Sequence, residues 1–178
     1  MKINFCILLC MACSVPAWAE EITDHTRHLS VINSDSRQLV SYPPDVRAHA
    51  LATMREHLEA LAEIMNAFAH AKYTEAAALA DTRLGMDSSG AAACQMNGMK
   101  MDMKTIPMPG SAHLDQQMSL FMPEKMRELG QNLHRAANEF AINAREADKD
   151  SKYATAAAIS LARITQQCVA CHRSYRMK

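Results

Sequence analysis

The chain has 178 residues, with 19 Lys and Arg set against 19 Asp and Glu, and 49% of its residues are hydrophobic. A balanced charge argues against nucleic acid as a partner, because phosphate binding needs a clear basic surplus. The length suits one domain with a sizeable core.

The opening "MKINFCILLCMACSVPAWAE" sets Lys2 before an apolar run from Ile3 to Val15, followed by Ala17-Trp18-Ala19. That order of positive, apolar and small residues predicts a secretory signal peptide over 1–19, cleaved after Ala19. A membrane anchor fits less well, since the run is well short of the roughly 20 residues a spanning helix needs. A lipoprotein reading on Cys13 lacks an aliphatic residue three positions earlier. Lys2 suits the inner side of a bacterial membrane. The mature chain is therefore expected in the periplasm of a Gram-negative bacterium, with no stable membrane insertion. Cleavage leaves about 159 residues, a net charge of −1, and Cys94, Cys168 and Cys171 of the six cysteines.

Residues 20–42 are polar and aperiodic and read as a loosely held arm. The domain proper is expected over 43–178. Pro43-Pro44 opens a long helix. Its apolar residues Leu51, Met54, Leu58, Leu61, Met65 and Phe68 recur at spacings of three and four, one stripe along a helix. "YTEAAALADTRLGM" predicts a shorter second helix ending near Gly85. A third carries Met122, Met126, Leu129, Leu133, Ala136 and Phe140 at the same spacing. A fourth carries Tyr153, Ala157, Leu161, Ile164, Cys168, Cys171 and Tyr175. Strand-like alternation is absent. Four amphipathic helices predict an all-α protein, an antiparallel four-helix bundle. Its abundant alanines let helices approach closely or leave volume for something that is not protein.

The last helix ends in "CVACH", Cys168 to His172. At 3.6 residues per turn, Cys168, Cys171 and His172 project from one face, the face of the apolar stripe. Zinc would need a second ligand pair, which the sequence lacks. A redox C-x-x-C normally starts a helix in a βαβ setting, whereas this one is near a helix end. Two thiols that add to two vinyl groups, with a histidine beside them for iron, form the covalent c-type haem signature. One haem c is expected, attached near the C-terminal helix.

Arg163, Cys168, Cys171, His172, Tyr175 and Arg176 also form a longer pattern, basic-x4-Cys-x-x-Cys-His-x-x-Tyr-Arg. In the first helix Arg47 is followed one to two turns later by Leu or Met, and the segment closes on Ala71, Tyr73, Ala76 and Ala77. In these residues the chain resembles the class II c-type cytochromes, the group of cytochrome c′ and the low-spin cytochrome c-556, over about residues 43–177. The resemblance implies an up-down-up-down topology, His172 as proximal iron ligand, and a distal residue from the first helix. Two registers remain. Aligning Met54-Arg55-Glu56 makes Met54 the distal ligand of a six-coordinate electron carrier. Counting four residues from Arg47 makes Leu51 line an open iron that binds nitric oxide or another small gas. Arg47 and Arg163 are candidates to meet the haem propionates. His57 reads as a surface or rim residue.

The chain departs from that family in its middle. Residues 87–120 carry Met96, Met99, Met101, Met103, Met108 and Met118, with Cys94 and His113, among Pro, Gly and Ser, and read as a long loop. Thioethers and a thiolate suit Cu(I), so soft-metal handling is a further candidate, against a plain connector. Cys94 is an unpaired thiol with an intermolecular disulfide open to it, so a homodimer is a candidate assembly. No acid–base pair, nucleophile triad or phosphate loop stands out, so no enzyme is expected. The sequence predicts a periplasmic mono-haem one-electron carrier with redox proteins as partners.

Overall fold

In the computed structural model, which describes residues 35–95 and 110–178, Pro43 and Pro44 begin the first long helix as their fixed φ requires. The signal peptide at 1–19, the first part of the arm, and Met96, Met99, Met101, Met103 and Met108 lie outside the described residues. The unit spanning Arg37–Lys178 is described here. It is all-α apart from two three-residue strands. Helix α1 spans Pro44–Ala69 and α2 Tyr73–Leu79, which widens into a π turn over Ala80–Leu84. A 3-10 turn at Ser89–Ala91 leads into the short α3, Ala92–Gln95. Then come α4 (Ser111–Phe121), α5 (Glu124–Lys149) and α6 (Ala154–Ser174). None of the described helices is long and apolar enough to cross a membrane.

Two expectations change at the edges of this architecture. The arm is not loose throughout: Gln38–Val40 forms β1 and pairs in parallel with β2, Tyr175–Met177, with Leu39 opposite Arg176. Three residues are too few for alternation to register, but Val40 and Tyr42 are buried behind them. The segment 87–120 is also partly helical. In α4, Met118 and Ser119 are buried and Leu114 packs against the same cluster, a helical spacing that the neighbouring Gly and Pro obscured. Arg127 donates to the Met122 carbonyl at 2.6 Å, satisfying an acceptor just past the end of α4.

The periodicity of α1 selected the packing face only in part, since Leu61 and Phe68 pack on the core but the fully buried positions lie elsewhere. Val46, Ala50, Thr53, Ala60, Ile64 and Ala67 are the buried residues, one step behind the stripe of large ones. Leu58 and Met65 are 67% and 48% exposed. Alanine makes the close contacts because it lets backbones approach. It does so again in α2 at Ala76 and Ala77 and in α5 at Ala137, Ala141 and Ala144. The third and fourth stripes hold better: Met126, Leu133, Phe140, Ala157 and Ile164 are buried. Helix α5 packs along α6, and α2 packs against both α1 and α5. Among the described residues α1 and α6 make little direct contact.

The apolar interior is in two clusters. One gathers Ile64, Leu84, Phe140 and Ile164 with the alanines. The other gathers Val40, Tyr42, Val46, Met118, Met122, Met126 and Tyr175. The second is held by polar ties as well, since His49 Nε2 lies 2.7 Å from Oδ1 of the buried Asp115 and so joins α1 to α4.

The turn after α1 closes with Lys72 N donating to the Ala67 carbonyl at 2.9 Å and Ala71 N donating to Phe68 at 3.0 Å. Ala71 sits there at φ 55°, in the left-handed region. A side chain in that conformation is strained, and glycine is the usual occupant. Ala71→Gly should therefore stabilise the protein, by about 0.5–1 kcal/mol, because relief of strain exceeds the entropy glycine adds to the unfolded chain. Urea midpoints of the two proteins check this.

Candidate functional site

The last two turns of α6 carry Cys168, Cys171 and His172 on one face, as their spacing requires. All three open onto one cavity of about 600 Å³. Leu51, Met54, Leu58 and Leu61 face it from α1, and Met126, Leu129 and Leu133 from α5. The first part of the large apolar stripe of α1 thus lines a space between helices, while Leu61 also packs on the core and Phe68 stacks edge-on to Phe140. Leu51 and Met54, together with Cys171 and His172, also border a second cavity of about 330 Å³. That one is lined by Arg37, Arg47 and Arg176. Arg37 Nη1 donates to the His172 carbonyl at 3.2 Å, so the β1–β2 pairing ties the arm to the end of α6.

The sequence candidates divide accordingly. Cys168, Cys171, His172, Met54 and Leu51 are brought together, and Arg47 stands beside them. Arg163 is not among the residues lining either cavity; its Nη1 pairs with Glu139 Oε2 at 2.9 Å, between α6 and α5. Cys94, expected in a loop, is buried in α3 and lines the cavity. A Cβ on Gly130 would come 2.3 Å from its Sγ, so glycine in α5 is what lets α3 approach. A buried thiol is poorly placed for an intermolecular disulfide. Burial pushes the thiols of Cys168, Cys94 and Cys171 up, the last two to about 11 with Cys171 and Cys168 respectively adding to the effect. Burial thus favours the protonated thiol at all three. Burial likewise raises the Tyr42 hydroxyl, which points at Met126 Sδ, 4.0 Å away.

His57 is the residue that sequence reasoning misplaced. Its neighbours Arg55, Glu56 and Glu59 are polar and exposed, which suggested the rim. In fact it is half-buried and continues the seam of α1 between Thr53 and Ala60. That seam was legible, since positions 46, 50, 53, 57, 60, 64 and 67 recur at three and four. His57 Nε2 is buried without a hydrogen-bond partner, an arrangement that costs about 1–3 kcal/mol where it stays unmet. Its ring stands edge-on to His134, with centroids 5.3 Å apart. His134 Nδ1 lies 2.8 Å from the Leu84 carbonyl and donates to it. Burial, with His134 close by, pushes His57 down to about 4. Burial also lowers His134, against the opposing bond to Leu84.

Taken together, the donor set suits a large apolar group that carries a metal: two thiols and an imidazole on one helix face, a thioether on another helix, and apolar walls. Among the described residues no three His, Cys, Asp or Glu side chains gather as a metal site on their own. Compared with protein-family models, curated proteins and solved structures, the chain matches none.

Both histidine shifts have the same sign. The folded pKa lies below the unfolded value, so the unfolded chain binds more protons between about pH 6.5 and 4. Stability should be full above pH 6.5 and fall as pH drops through that window, by up to about 3 kcal/mol from His57. Urea unfolding between pH 7 and 4.5 should follow that course, and His57→Leu should reduce the fall while leaving the part due to His134.

Proposed function

We propose that this chain is a mono-haem c-type cytochrome, a four-helix bundle of the class II kind, carrying single electrons in the periplasm. One observation carries the reading: Cys168, Cys171 and His172 open from the end of α6 onto the same apolar cavity that Leu51, Met54, Leu58 and Leu61 face from α1. The bundle is α1, α2, α5 and α6. Cys168 and Cys171 would hold a haem covalently, each thiol adding across a vinyl group, sulfur to one carbon and hydrogen to the other, with no net oxidation. His172 would offer a nitrogen to the iron, and the bond from Arg37 to its carbonyl steadies that turn. Met54 offers a thioether from α1. Arg47, with Arg37 and Arg176 in the adjoining cavity, supports the placing of carboxylates there. The haem, when bound, supplies the one-electron couple. A neutral thioether in an apolar site favours the reduced state and asks little rearrangement of its surroundings. Other redox proteins are the partners this reading requires, and catalysis is not part of it.

A second reading keeps the same attachment and makes the iron open to a small gas, with Leu51 over it. It is supported by Leu51 bordering both cavities, as Met54 does. Soft-metal handling by the methionine segment rests mostly on Met96, Met99, Met101, Met103 and Met108, outside the described residues; of its other candidates Cys94 and Met118 are buried and His113 is exposed.

The visible spectrum of the reduced protein separates the two readings. A low-spin spectrum with an iron–thioether signature is expected. Met54→Ala should abolish that signature and lower the potential by about 0.1 V or more, within the roughly 0.8 V that axial ligands span. A high-spin wild type in which Met54→Ala is silent would select the gas-binding reading and Leu51.

A further inference from the structure

The chain has as many acidic as basic residues, 19 of each, yet the two adjoining cavities are charged with one sign. Arg55 borders the larger cavity, and Arg37, Arg47 and Arg176 line the smaller one. No Asp or Glu lines either. A haem would set its two carboxylates against these four arginines and leave a positive excess. Elsewhere the cations are balanced: seven described Lys and Arg side chains pair with a carboxylate, and none of the seven lines a cavity. Arg47 and Arg55 are exposed and have no such partner among the described residues. The acids nearest to them in sequence are Asp45 and Glu56. Glu56 is close enough to Arg83 to help raise its guanidinium, behind the larger effect of the bond from Glu63. From Ser151 to the C-terminus the chain carries Lys152, Arg163, Arg173, Arg176 and Lys178 and no acid.

Apolar side chains are exposed at the same place. Leu58 is 67% exposed and Val169 49%, and both border the larger cavity, one from α1 and one from α6. Each has a cation beside it, since residues three or four apart on a helix are neighbours: Arg55 next to Leu58, and the exposed Arg173 next to Val169. An apolar centre flanked by arginine is the make-up of a protein–protein contact. Resting on the c-type haem reading above, we propose that this mouth docks a redox protein whose own electron-exchange surface is acidic around an apolar centre. The partner would meet the chain where Cys168, Cys171 and His172 open outward, so its oxidised centre could take the single electron of the ferrous haem with no bond made or broken. Opposite charges speed and orient such an encounter without demanding tight binding. That suits a partner that must leave after one electron.

Stopped-flow oxidation of the full-length, haem-loaded ferrous protein tests this with two probes, the anionic cobalt(III)–EDTA complex and the cationic tris(phenanthroline)cobalt(III) complex. The balanced charge of the whole chain predicts little effect of salt on either. The charged mouth predicts that the anion's rate falls about threefold or more between roughly 10 and 150 mM salt, as screening shortens the reach of the field. The cation's rate should rise. A polyglutamate peptide should slow the anion's reaction at low salt by competing for the mouth. Arg55→Glu with Arg173→Glu should reverse both salt slopes and abolish the peptide's effect. Lys72→Glu with Lys152→Glu makes the same change in net charge away from the cavities and should leave the slopes in place. Should the reversed pair not fold, Arg55→Gln with Arg173→Gln should flatten the slopes instead. Midpoint potentials, measured for each variant, separate driving force from docking. Salt slopes that respond alike to the two pairs of variants overturn the inference while leaving covalent haem in place. Binding to phosphatidylglycerol vesicles, with no effect of polyglutamate, also overturns it, by assigning the mouth to a membrane surface. A chain with no covalent haem removes the parent reading and this inference together.

Discussion

Helices that meet through alanine come close, and helices that present leucine and methionine to each other need either interdigitation or something between them. Both situations occur on α1. Its seam of Val46, Ala50, Ala60, Ile64 and Ala67 is buried in the protein. Its large stripe, Leu51, Met54, Leu58 and Leu61, turns to a cavity of about 600 Å³ across which α6 presents Cys168, Cys171 and His172. At roughly 24 cal/mol per Å³, filling such an apolar volume is worth up to the order of 10 kcal/mol. That is comparable with the whole stability of a domain. The value is an upper bound, since Leu58 shows that the space is partly open to solvent. A cofactor in this space would act as a structural member as well as a redox centre.

The same constraint orders the polar groups. The chain is nearly neutral, yet three arginines converge beside His172 while the larger cavity is walled mainly by apolar side chains. One of them, Arg37, comes from the segment before β1 and reaches the His172 carbonyl. The short β1–β2 pairing thus serves the site. It brings a cation from the start of the domain to the last turn of the last helix. Among the described residues His57 Nε2 is the one buried side-chain nitrogen or oxygen without a hydrogen-bond partner, and it packs against Gly90.

Much of this was legible in the sequence. Pro43-Pro44 fixed where α1 begins, the three-and-four spacings of α5 and α6 picked out their buried faces, and "CVACH" located the donor face of α6. The face of α1 was not legible from hydrophobicity, because large apolar residues normally mark a core and here they mark a cavity wall. An alanine seam is weaker by any hydrophobic measure, although it packs closer. His57 was hidden by its charged neighbours. Strand β1 was hidden by its length, and its pairing with β2 joins residues 135 or more positions apart. Helix α4 was hidden because methionine, proline and glycine around it suggested loop chemistry. Arg163 fitted the family pattern in sequence, yet it turns to Glu139 on α5.

The central claim is covalent attachment of one haem at Cys168 and Cys171, and intact mass under denaturing conditions measures it most directly. The protein should be secreted by a host able to attach haem, unfolded in acid, and weighed. The account predicts a single species heavier by one haem than the same chain carrying Cys168→Ala and Cys171→Ala. A bare wild-type chain, or a haem that dissociates on unfolding, would contradict it.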